Sequence, residues 1–363
     1  MLKRRRNRLL LLVALIVAGV AAIWIGLGQN AQREAEAATP MDIEWDGDVG
    51  YASIGEGQLL RLTVDGDAVV TEVLADGLAY PRGLAVTEDT IYVAELVTLP
   101  CENPVPRCKG ENVGAASIAE GELQILGSSS GRVLAFPRTA DGLGMPQVLV
   151  DGLRFVNTDH GLNDIDLGPD GMLYLSVGNL DRLAWDSDVE SPTGPETRLL
   201  GSILRIDPAS GEVSQFASGL RNVFGIDFDQ AGLLWGVDND GPGRGPWRFE
   251  ELLMLEDGMD YGFPTDGTVG PYERRTGFAT WIMPVGAGSS GLLVRDDVIL
   301  SGGCGRVTWV DLKTTSGDAL VREIPNPGCV TAIERMPDGR LVLGTVFAGT
   351  PFRVTTEDEL LDR

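Results

Sequence analysis

Five times between residues 83 and 345 the chain repeats one short pattern: an apolar-alternating strand, a turn built on Asp or Gly, and a second apolar strand. The copies read GLAVTEDTIYVAE from Gly83, NDIDLGPDGMLYLSVGN from Asn163, FGIDFDQAGLLWGVDND from Phe224, SGLLVRDDVILSGG from Ser290 and VTAIERMPDGRLVLGT from Val330. Strands such as GRVLAFPR, GSILRIDPASGEVSQF and GRVTWVDL lie between them and return the chain through a further hairpin. Repeated four-stranded units point to a β-propeller, in which each blade covers its faces against its neighbours. The stretch MDIEWDGDVGYASIGEGQLLRLTV supplies a degenerate sixth copy, so the expected fold is all-β, a six-bladed propeller rather than one of five or seven blades. A two-sheet sandwich also needs many short strands, but it does not require one strand–turn–strand signature over the whole chain.

The start of the chain is of another kind. MLKRRRNR places five bases ahead of an uncharged apolar run over residues 9–27. As a helix that run spans about 28 Å, close to the roughly 30 Å hydrocarbon core of a bilayer. It is expected to form one N-terminal transmembrane helix, with the basic residues 1–8 on the cytoplasmic side and the rest outside. The alternative is a cleaved signal peptide, since Ala35-Glu36-Ala37 resembles a cleavage site; secretory apolar regions are usually shorter. Both export the domain, to the periplasm or cell exterior. Residues 28–41 form a polar linker and 42–363 one domain.

Charge and cysteine content fit an exported domain that is not a nucleic-acid binder. The chain carries a formal charge of −24, and −28 beyond residue 40. A nucleic-acid partner needs a basic surface to neutralise phosphates, so that class is excluded. Four cysteines allow three pairings; in an oxidising compartment Cys101–Cys108 and Cys304–Cys329 are expected. Zinc is disfavoured, because the chain has one His and no close C-x-x-C pair.

Three features could carry chemistry. His160, the only His, stands in the turn NTDHGLND; it is either structural or a general base. Arg221 and Asn222 in GLRNVFGIDF precede a repeat copy; they are a surface pair, or a cation and a donor for an anionic ligand. In WGVDNDGPGRGPW, Asp238, Asn239 and Asp240 run into Gly241 and Pro242, an oxygen-rich loop that suits calcium or an ordinary turn.

Taken together and in this order, the three resemble the glucose/sorbosone dehydrogenase family, six-bladed propellers that use pyrroloquinoline quinone (PQQ). The resemblance covers about residues 78–356 and is strongest from His160 to Pro264. HGLNDIDLGPDG is similar to the family's stretch from its catalytic His to its GPDG turn, GLRN to its Arg-Asn pair, and DGP with GMDYGFP to its calcium loop and tail. The resemblance implies that His160 removes a hydroxyl proton from an aldose or similar hydroxy-compound while hydride passes to PQQ. It implies that Arg221 and Asn222 polarise the quinone, that Trp281 belongs to the cofactor site, and that the carbonyls of Gly241 and Pro242 hold Ca²⁺. Electrons would leave to an external acceptor that the sequence does not name.

The chain also departs from the family. An Asp that orients the catalytic His is replaced by Asn179, which can fix the tautomer but cannot stabilise imidazolium with charge; Asp164 and Asp166 are the possible substitutes. The Lys and two Arg that pair with the carboxylates of PQQ fall at about Cys304, Cys329 and Thr331. Arg306 and the pair Arg274-Arg275 are cations left to replace them. A second reading is therefore kept: a non-catalytic extracytoplasmic propeller that binds a ligand or protein partner and has lost PQQ. A third, a calcium-dependent lactonase on a related propeller, lacks an assignable cage of inward Glu, Asp and Asn side chains.

Overall fold

The computed structural model describes residues 38–97, 116–119, 122–125, 130–140, 142–155, 160–179, 199–239, 250–262, 279–283, 290–295, 297–312 and 321–362. The first sheet runs β1 (Pro40–Asp46), β2 (Val49–Ile54), β3 (Gln58–Asp65) and β4 (Ala68–Asp76). The second begins with β5 (Pro81–Val86) and β6 (Thr90–Val97). A small hairpin, β7 (Ala116–Ala119) with β8 (Glu122–Ile125), stands apart from it. The second sheet resumes with β9 (Ser130–Thr139), to which β10 (Gly142–Leu143) and β11 (Gln147–Arg154) both pair. The third holds β12 (Leu162–Leu167), β13 (Leu173–Val177), β14 (Ser202–Ile206) and β15 (Val213–Ala217). The fourth holds β16 (Val223–Phe228), β17 (Leu234–Asp238), β18 (Glu250–Leu255) and β19 (Ala279–Met283). The fifth joins β20 (Leu292–Arg295), β21 (Val298–Asp311), β22 (Val321–Arg335), β23 (Leu341–Val346) and β24 (Phe352–Thr355).

The sheets form an all-β propeller, but the described residues group into five main sheets and not the six separate blades expected. The last two repeat copies share one sheet because β21 and β22 run on past the point where each copy should end. Each does so beside a glycine with φ near +79° (Gly305 and Gly328), a backbone that other residues adopt only under strain. Cys304 and Cys329, next to those glycines, are register partners and form a disulfide. The expected Cys101–Cys108 bridge lies outside the described residues, as does the expected transmembrane segment. Among the described residues no helix is long and apolar enough to cross a membrane. β1 opens at Pro40, so the last two residues of the expected linker already belong to the first sheet.

The first strand of each sheet lies nearest the axis, and its alternation puts apolar residues between sheets. Leu162 and Ile165 of β12 pack with Ala94, Leu96 and Val133 of the second sheet and with Leu175 and Leu204 of the third, all buried. Each such aliphatic side chain contributes about 2 kcal/mol by leaving water. Gly83 marks how closely β5 approaches β12, since a Cβ there would collide with the backbone of Asp164 and Ile165. The ring closes where β1 packs on the C-terminal half of β22, and Thr331 Oγ1 donates to the Pro40 carbonyl (2.6 Å).

One side-chain device recurs around the axis. Asp42 Oδ2 accepts from Leu84 N (2.7 Å), Asp164 Oδ2 from Ile226 N (2.8 Å) and Asp227 Oδ2 from Val294 N (2.6 Å). In each case an Asp beside an inner-strand Ile caps an amide of the next inner strand, and so acts as a latch between neighbouring sheets.

Candidate functional site

Because the sheets are antiparallel, the starts of first strands and the ends of second strands meet at one end of the propeller. His160 stands just before β12, Asn179 just after β13, Arg221 and Asn222 just before β16, and Asp238 and Asn239 at the end of β17. Backbone bonds lock these ends together: Asn179 N donates to Arg221 O (2.8 Å) and Asn239 N to Asn222 O (3.1 Å). The Asp238 carboxylate accepts from the amides of both Arg221 (2.9 Å) and Asn222 (2.6 Å), and so holds the Arg-Asn pair in place. The structure thus brings His160, Asn179, Arg221 and Asn222 to one mouth, and all four are buried.

The proton positions follow from the partners. Arg221 Nη2 lies 3.4 Å from His160 Nε2, and a guanidinium can only donate. Nε2 therefore offers its lone pair and Nδ1 carries the proton, which points at Asn179 Oδ1 (3.1 Å) and the Asn179 carbonyl (3.2 Å). Asn179 thus fixes the tautomer, as the missing Asp would. Asp164 and Asp166, the suggested substitutes, are instead engaged near the axis, where Asp166 Oδ1 accepts from Leu167 N (2.6 Å).

Three residues complete the network, two of them not anticipated from sequence. Arg82, buried at the start of β5, donates to Asn163 Oδ1 (3.1 Å) and lies over the Phe224 ring (4.6 Å). That turns the amide of Asn163 so that Nδ2 donates to Asn222 Oδ1 (2.8 Å) and Val223 O (2.9 Å), leaving Asn222 Nδ2 as the donor end. Arg221 Nη1 donates to the carbonyl of Asn239, the third. Arg82 was legible in principle, since PRG opens a repeat copy at the register where HGLN and RN open theirs.

Other expected site residues are distributed differently. Trp281 lies on β19, the outermost strand of its sheet, paired with Leu252. Gly241, Pro242 and Arg274-Arg275 lie outside the described residues, and among the described ones no cluster of three or more His, Cys, Asp or Glu is arranged to hold a metal ion. Arg306 pairs with Glu323 (2.7 Å). Cys304 and Cys329 occupy the places of two expected cations, and their disulfide lies at the same end of the sheets. The donor set nonetheless fits a flat, acceptor-rich quinone. Arg221 and Asn179 meet the one imidazole directly, and the buried Arg82 stands beside them through Asn163 and Asn222.

Further along the axis the chemistry changes. Asp42, Glu44, Asp164, Asp227 and Glu334 line a cavity between the inner strands, with Asp166 beside them. Burial, reinforced by neighbouring carboxylates, raises Asp42, Glu44 and Asp227 well above the usual carboxylate range. Burial also raises Asp164, to about 6, against the pull of the Ile226 amide. Burial and the Asp164 charge raise Asp166 to about 7. Burial works against the charge of Arg295, but Asp227 (3.1 Å) and Glu334 (3.2 Å) more than offset it.

Comparison with known proteins bears on the fold. Residues 140–260, which hold His160, Arg221, Asn222 and Asp238, match the model of a domain of unknown function (DUF7133). No curated protein matches the sequence. The chain is similar in structure to an oxidoreductase (glucose dehydrogenase) from Thermus thermophilus, with a TM-score of 0.62 and 19% identity over 88% of this chain and 96% of that one. It is similar to the PQQ-bound aldose sugar dehydrogenase of Streptomyces coelicolor, with a TM-score of 0.60 and 19% identity over 88% and 95%. It also resembles the apo soluble aldose sugar dehydrogenase of Escherichia coli, with a TM-score of 0.57 and 13% identity over 89% and 97%. At these identities the likeness establishes the propeller fold.

Proposed function

We propose that this chain is an exported oxidoreductase, tethered to the membrane by residues 9–27, that oxidises an aldose or related hydroxy-compound with PQQ. Ca²⁺ would be held by the carbonyls of Gly241 and Pro242. One observation carries the reading: the only imidazole of the chain is buried at the mouth with Nε2 as its basic atom and a guanidinium beside it. PQQ, when bound, supplies an electrophilic carbonyl that accepts hydride. The chain's own residues do the rest. His160 Nε2 takes the hydroxyl proton of the substrate, which replaces Arg221 at the lone pair; the 3.4 Å contact is long and easily exchanged. Asn179 holds the ring in register through Nδ1 and faces the imidazolium with two carbonyl dipoles. Arg221 and Asn222 aim donors at negative charge that develops in the site, and Asp238 keeps their backbone from shifting.

The test is dye reduction by the protein loaded with PQQ and Ca²⁺, over a panel of aldoses. Activity that His160→Ala abolishes, while PQQ absorbance is retained, supports the assignment; absence of activity and of any spectral change on adding PQQ refutes it. A second reading is favoured by the disulfide at the positions of two expected cations. On that reading the propeller binds a ligand or partner without catalysis, and the same assay stays blank while binding of another ligand persists.

A further inference from the structure

A line of buried side chains runs from sheet to sheet into the mouth, and every bond in it points the same way. Ser53 Oγ of the first sheet donates to the carbonyl of Arg82 in the second. Arg82 Nη2 donates to Asn163 Oδ1 in the third (3.1 Å), and Asn163 Nδ2 donates to Asn222 Oδ1 at the start of the fourth (2.8 Å). All four residues are buried. The direction is dictated by one member. A guanidinium has no acceptor, so Asn163 must turn its oxygen to Arg82 and its nitrogen onward. The same turn lets Asn163 Nδ2 satisfy the Val223 carbonyl (2.9 Å). Asn222 then commits its oxygen to Asn163, and its nitrogen is the donating end.

Packing holds both ends of the line. The Arg82 guanidinium lies over the Phe224 ring (4.6 Å) and near the Tyr80 ring (5.8 Å), contacts that fix its plane. At the other end a Cβ on Gly178 would collide with both Asn222 Oδ1 and the backbone of His160, so the last amide of the line is packed against the base. In a buried setting each bond of such a chain polarises the next. An amide turned the wrong way would set two oxygens or two N–H groups face to face, at the cost of a buried bond.

We propose that Arg82 is a positioning residue of the site: acting from the second sheet through Asn163, it fixes Asn222 as a hydrogen-bond donor and so selects a ligand that presents acceptor oxygens at the mouth. The inference rests on the PQQ reading above, and adds to it the residue that sets the polarity of the Arg-Asn pair. It acts through the direction of the amides, and its charge by itself does not replace that.

The experiment is a double-substitution cycle on the full chain, read by absorbance titration with PQQ in the presence of Ca²⁺. Arg82→Gln offers Asn163 either end of an amide and loses the polarity, whereas Asn163→Leu keeps the charge of Arg82 and removes the relay. Each is expected to weaken PQQ binding about tenfold, roughly the worth of one buried hydrogen bond. The double variant should also be about tenfold weaker, and not about a hundredfold, because the second change cuts a line already cut. Arg82→Lys, which can only donate, should stay within about threefold of the parent. Parent-like affinity in Asn163→Leu, or losses that add in the double variant, overturns the positioning role while PQQ binding stands. Should Asn163→Leu fail to fold, equal affinity in Arg82→Lys and Arg82→Gln overturns it. A parent chain that gives no saturable PQQ signal refutes the PQQ reading, and the inference with it.

Discussion

The network at the mouth and the carboxylates further along the axis are both buried, both polar and both drawn from the inner strands, yet they are built from different chemistry. At the mouth, amides and guanidiniums meet one imidazole, and every proton position follows from a donor that has no alternative. Along the axis, acids face acids, and burial raises them above the usual carboxylate range. The axial Asp residues latch neighbouring sheets through backbone amides, so their chemistry is spent on closing the ring. The contrast teaches that, among the described residues, the clustered buried acids lie along the axis, apart from the candidate catalytic groups at the mouth.

Substitution can break that contrast. The largest effect is expected from His160→Gln, which keeps a polar side chain but removes the base. Turnover in the dye assay should fall by roughly 10²–10⁴-fold, with the thermal unfolding midpoint nearly unchanged. An unfolding shift with retained turnover would place His160 among the structural groups. Next comes the double substitution Cys304→Ser/Cys329→Ser. Opening a 25-residue loop should cost about 3 kcal/mol in denaturant unfolding while PQQ titration is unaltered. A PQQ affinity that rises instead would show that the disulfide obstructs the cofactor.

Asp166→Asn addresses the axial side. Burial and the Asp164 charge raise Asp166 to about 7, above the roughly 3.9 of an unfolded Asp, so the folded chain binds the extra proton. Stability from this group is fully present below about pH 4 and is lost as pH rises through 7. The Asn variant should flatten that fall and be more stable than the parent at pH 8, by on the order of 1–2 kcal/mol. Chemical unfolding at pH 5 and pH 8 measures it; an unchanged slope would mean that Asp166 is not the titrating group. The smallest effect is expected from Asn179→Asp. A carboxylate at the Nδ1 partner stabilises imidazolium, so turnover should rise by about a few-fold, read as kcat at fixed pH.

Sequence reached the architecture through period and turn chemistry, since the strand–turn–strand copies are local. The number of separate sheets was not local: it depends on β21 and β22 running through Gly305 and Gly328, which only tertiary pairing decides. At the site, His160, Arg221 and Asn222 were marked by short spacings. Arg82 and Asn163 were not, because their contacts span 81 residues between Arg82 and Asn163 and 59 between Asn163 and Asn222. Asn179 was placed by its position after β13, and its role as the Nδ1 partner needed the ring's coordinates.

The most direct measurement is an absorbance titration of the protein with PQQ in the presence of Ca²⁺, run in parallel on Arg221→Gln and Asp166→Asn. The mouth assignment requires saturable one-to-one binding, weakened at least about tenfold by loss of the charge-assisted bond in Arg221→Gln and untouched by Asp166→Asn. Absence of saturation in the parent protein, or equal affinity in Arg221→Gln, would contradict it.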